Sequence, residues 1–97
     1  MGRISADYEV IFIINPEIGD EATEAAVNRF TNLIEENGGT ITEKNEWGKR
    51  RLAYPINDFL EGYYVLLNVT VDSQFLLELE RIFNITDVIL RYLVIKK

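Results

Sequence analysis

The sequence predicts an α+β fold: a four-stranded antiparallel sheet with two helices on one face. Three observations lead there. Two segments carry apolar residues at helical spacing. Four others are β-branched and aromatic runs bounded by turn residues. Their order along the chain is strand, helix, strand, strand, helix, strand. At 97 residues with a 47% hydrophobic fraction, the chain is long enough for one core, so a single domain over 1–97 is expected, with residues 1–6 as a flexible extension.

Tyr8 to Ile14 is apolar and ends at Asn15-Pro16, so it reads as a largely buried strand. From Asp20 to Asn37, Ala26, Val27, Phe30, Leu33 and Ile34 recur at helical intervals. Asp20, Glu21 and Glu24 crowd the start, where the helix dipole favours negative charge, and Gly38-Gly39 supplies a cap at the end. Thr40 to Ile56 reads as one long bent strand or two short ones, with a bend at Trp47-Gly48. Asn57 to Gly62 is expected to be a loop. Tyr63 to Val71 alternates, with Tyr63, Val65, Leu67, Val69 and Val71 on one face. Asp72-Ser73 starts a second helix whose stripe is Phe75, Leu76, Leu79, Ile82 and Phe83. Val88 to Ile95 is a last strand. This βαββαβ order is the ferredoxin-like arrangement.

Such a fold leaves one sheet face without a helix. By alternation that face carries Glu9, Ile11 and Ile13 from the first strand and Tyr64, Leu66, Asn68 and Thr70 from the third. The last strand is apolar on both sides, so its parity stays open; Arg91 is expected with Ile89, Leu93 and Ile95. Apolar side chains on an open sheet suggest a protein partner or stacking bases; a small sheet that cannot cover itself is the plainer reading.

Cysteine and histidine are both absent, which removes disulfides, thiolate or imidazole metal sites and every imidazole-based mechanism. No cofactor, metal site or small-molecule substrate is expected, and the chain is not expected to be an enzyme. The N-terminus has no secretory pattern, and Val10 to Ile14 is far short of the ~20 residues of a spanning helix, so a cytosolic protein without membrane contact is expected. The net charge of −6 is unevenly placed: Pro16 to Glu43 holds seven acids against Arg29, and the remainder is neutral. Within it, Lys49, Arg50 and Arg51 lie between Trp47 and Tyr54, offering phosphate contacts beside stacking surfaces. A solvated charge run guarding an edge strand accounts for them equally well. The pairs Asp20-Glu21, Glu35-Glu36 and Glu43/Glu46 lack the ligand density of a calcium loop.

The run Trp47-Gly48-Lys49-Arg50-Arg51-Leu52-Ala53-Tyr54-Pro55-Ile56, with Tyr8-Glu9-Val10, Asn15-Pro16, Gly62-Tyr63-Tyr64 and Ile89 to Lys96, closely resembles the bacterial small-subunit ribosomal protein six family. The resemblance covers about Asp7 to Lys96. It implies a non-enzymatic ribosomal component that pairs with ribosomal protein eighteen and, with it, binds the central domain of small-subunit ribosomal RNA during assembly. Arg50 and Arg51 match the family's paired arginines and are the expected RNA contacts, joined by Lys49, Tyr54 and Arg91. Asp7 and Ala6 occupy places often basic in the family, which leaves Arg3 to serve from the N-terminal arm. The partner protein is expected on Ile11, Ile13, Tyr64 and Leu66. A small regulatory or dimerisation domain using the same open face is the alternative. An acyl-phosphate hydrolase is disfavoured, because Asn15 to Asp20 is acidic where a phosphate-cradling arginine loop would be needed.

Overall fold

The computed structural model describes residues 5–56 and 59–97, so Arg3 and residues 57 and 58 of the expected loop lie outside the described residues. The elements are β1 (Ser5–Ile14), α1 (Asp20–Glu36), β2 (Thr40–Ile56), β3 (Phe59–Asp72), α2 (Ser73–Ile85) and β4 (Ile89–Lys96). The strands form one antiparallel sheet in the order β2-β3-β1-β4. This is the ferredoxin-like βαββαβ arrangement.

Alternation decides which side chains meet the helices. Val10, Phe12 and Ile14 of β1 and Val65, Leu67, Val69 and Val71 of β3 point to one face, where Val27, Phe30 and Ile34 of α1 and Leu79 and Phe83 of α2 close over them. Phe12, Phe30 and Phe83 sit at its centre with ring centroids 4.5–5.4 Å apart. Offset and tilted rings at this spacing add attraction beyond the area they bury. Helix α1 ends with Gly38 at φ 84°, a left-handed conformation that glycine takes without strain, and the Gly39 N–H reaches back to the Ile34 carbonyl at 2.9 Å. Helix α2 begins with the Asp72 carboxylate accepting from the Gln74 N–H at 2.9 Å.

Three expectations are corrected. Ser5 and Ala6 are not part of a flexible extension: β1 starts at Ser5, and the two residues pair with Asp72 and Val71 of β3. Phe59 to Gly62 is strand, not loop: β3 extends back to Phe59 and Arg50 and Arg51 pair with Gly62 and Glu61. Ile89 does not share a face with Arg91. The β1–β4 register slips between Ile13 and Ile14, so Ile89 turns to the core while Arg91, Leu93 and Ile95 stay on the open face. A bulge inserts one residue and thereby reverses the parity of everything beyond it.

Candidate nucleic-acid and partner interface

Strands β2 and β3, at 17 and 14 residues, outrun β1 and β4, at 10 and 8. Their hairpin bends over the helix-free face. Leu52 is brought to 7% exposure there, beside Ile13 and Gly62. The bend requires glycine at 62, because a Cβ would come within 2.2 Å of Ile13 Cγ2. The hairpin also carries Tyr54 to β4, at the other edge of the sheet. There the Arg91 guanidinium donates to the Tyr54 hydroxyl at 2.8 Å and lies 5.9 Å from its ring centroid.

Register arranges the open face in successive rows. Asp7 and Thr70 are paired, and the Thr70 hydroxyl donates to the Asp7 carboxylate at 2.6 Å. The next row reads Glu43, Asn68, Glu9 and Ile95 from β2 to β4. Glu43 accepts 2.7 Å bonds from the amide nitrogens of Asn68 and Asn45, and these two donors hold its carboxyl below the usual range. Asn45, Leu66, Ile11 and Leu93 follow, then Tyr64, Ile13 and Arg91. Trp47 stacks on Tyr64 with centroids 6.2 Å apart. The face thus runs from carboxylates through aliphatic side chains to aromatics and arginine.

Between the aliphatic and aromatic rows lies a groove of about 380 Å³, lined among others by Ile11, Ile13, Tyr64, Leu93, Tyr54 and Arg91. Of the residues expected to bind a partner, Ile11 and Tyr64 are half-buried walls, Ile13 at 7% exposure lies in the floor, and Leu66 is covered outside the groove. Leu93 at 54% and Trp47 at 44% form accessible rim that the sequence reading did not assign to the partner. Leu93 was hidden by the undecided parity of β4. Trp47 had a signal, its place beside Gly48 at a bend in a strand.

The basic run does not form one patch. Arg50, opposite Gly62, is on the open face, where its Nε–H donates to the Trp47 carbonyl at 3.2 Å. Lys49 and Arg51, opposite Tyr63 and Glu61, turn to the helix side and border a second cavity of about 560 Å³ with Glu17 and Leu60. The carboxylates Glu43 and Glu46 are likewise split between the faces. Glu46 accepts from the Tyr63 hydroxyl at 2.7 Å on the helix side. That bond lowers Glu46 and pushes the phenol up to about 12. Among the described residues no group of three or more carboxylates is placed to hold a metal ion.

The family model for Ribosomal protein S6 matches residues 7–96. The chain belongs to the ribosomal protein S6 family. It is similar to the small ribosomal subunit protein bS6 of Thermoanaerobacter pseudethanolicus, 52% identical over 89 residues that cover 92% of this chain and 94% of that protein. The bS6 of Clostridium novyi is 47% identical over the same shares. The crystal structure of 30S ribosomal protein S6 from Thermotoga maritima superposes with a TM-score of 0.91 at 35% identity, covering 97% of this chain and 89% of that one. A member of the S6 family is a structural, non-enzymatic component of the small ribosomal subunit, cytoplasmic and ribosome-associated.

Proposed function

We propose that the chain binds the central domain of small-subunit ribosomal RNA jointly with ribosomal protein eighteen during subunit assembly. Protein eighteen occupies the open-face groove, and RNA phosphates meet the basic residues around the hairpin. The observation that carries this reading is the groove itself: an apolar cleft on a helix-free sheet face, bordered at one end by Arg91 and Tyr54, with Arg50 bonded to the carbonyl of its lining residue Trp47. An apolar cleft offers a protein side chain a place out of water, whereas planar guanidinium groups beside aromatic rings suit phosphate and base. The chain's net charge of −6 also favours joint binding, since a cationic partner offsets repulsion from RNA.

The test is binding to a central-domain RNA fragment across a salt series, with and without protein eighteen. Tight, salt-sensitive binding is expected only with the partner present. Arg50→Ala and Arg91→Ala should each lower the salt slope by about one unit. Binding of equal strength without the partner, or slopes unchanged in both variants, would contradict the proposal.

A further inference from the structure

We infer that the segment seated on the open face is a cationic, apolar stretch of polypeptide, laid with a lysine or arginine over Glu9 and Glu43 and its apolar side chains in the groove. The inference rests on the docking reading above and adds the chemistry and direction of the occupant.

Three observations carry it. First, one end of the face is acidic. Glu43 and Glu9 flank Asn68 on the two strands beside β3, which places their Cα atoms about 10 Å apart, two strand spacings. Asp7 lies one row further, and Lys97 bears on Glu43 from the chain end. Second, Asn68 between them is only 7% exposed and gives its amide N–H to Glu43, while its Oδ1 has no hydrogen-bond partner among the described residues. An acceptor buried without a donor is costly, which marks this row as one that folding alone leaves unsatisfied. Third, the acidic row is continuous with the groove. Successive rows of one face are about 6.7 Å apart, so the Arg91 row lies about 13 Å from the Glu9 row. A short segment therefore covers both.

The same gradient fixes the direction. A segment with its cation at the Arg91 end would meet like charge and leave three carboxylates uncovered. A phosphate backbone over the acidic end would be repelled, so RNA is kept to the Arg50 and Arg91 end. The charges sort two kinds of partner to opposite ends of one sheet face.

The experiment measures the affinity of the full chain for purified protein eighteen at several salt concentrations, comparing the natural chain with Glu9→Gln, with Glu9→Gln/Glu43→Gln and with Ile11→Asp. Circular dichroism and thermal unfolding establish that each variant folds. The double glutamine variant should bind about tenfold more weakly with a flatter salt dependence, and Glu9→Gln alone should show part of both effects. Natural affinity and salt dependence in the glutamine variants, with binding abolished by Ile11→Asp, would overturn this inference and leave the docking reading standing. Natural affinity in Ile11→Asp would overturn the docking reading itself. Self-association in place of binding to protein eighteen would make a second copy the occupant and overturn both. Should Glu43→Gln disturb the fold through its two amide bonds, Glu9→Gln alone decides.

Discussion

The two faces of this sheet are both rich in aliphatic side chains, yet they have opposite fates. On the helix side Val10, Phe12 and Ile14 are fully buried. On the other, Leu93 and Ile95 from β4 are 54% and 42% exposed, and Ile11 is half-buried. Apolar residues on the covered face are explained by folding. Those on the open face are left over after folding, and a contiguous leftover patch marks a contact surface. The hairpin bend hides part of it by burying Leu52 beside Ile13, which narrows the open face to a groove.

The contrast can be broken from the covered side first. Phe12→Ala should cost about 3–5 kcal/mol in chemical denaturation, since it empties the centre of the Phe12–Phe30–Phe83 cluster. Gly62→Ala should cost about 1–3 kcal/mol, because its Cβ would collide with Ile13 Cγ2. Combining it with Ile13→Ala should recover part of that loss, as a double-mutant cycle would measure. If the pair is simply additive, the hairpin does not bend as described.

A smaller effect sharpens the polar boundary on the helix side. Tyr63→Phe should cost about 1 kcal/mol at neutral pH by removing the bond to Glu46. The Tyr63 phenol is raised to about 12, so its contribution is fully present below about 10 and disappears as pH rises through about 12. Glu46 is lowered, so its contribution is present above the ordinary value of 4.5 and disappears as pH falls through its depressed range. The stability difference between Tyr63→Phe and the natural chain should therefore shrink at both extremes. Leu93→Ala should have the smallest effect on stability, under about 1 kcal/mol, while weakening the pairing with protein eighteen. A large stability loss there would mean that Leu93 belongs to the core.

Period-two and helical spacing made the covered face readable from the sequence, because each core residue obeys a repeat set by its own strand or helix. Tyr63 to Val71 and the α1 stripe are of this kind. What escaped was set by pairing between strands. Whether Arg91 accompanies Ile89 depends on a register slip against β1, which leaves no trace in the composition of β4. Leu66 reads as an open-face residue and is one, but it is covered to 7% exposure. Three adjacent bases read as one patch, although neighbours on a strand point to opposite faces, and so Arg50 parts from Lys49 and Arg51. The family resemblance agrees with the fold that the spacing predicts, but it does not place these side chains.

The open face, and not the helix layer, is expected to receive the partner. Methyl-labelled NMR of the isolated chain titrated with protein eighteen tests it directly. The methyl signals of Ile11, Ile13 and Leu93 should shift or broaden while those of Leu77 and Ile85, exposed on α2 at 70% and 62%, stay in place. Shifts confined to Leu77 and Ile85, with Ile11 and Leu93 unmoved, would contradict it.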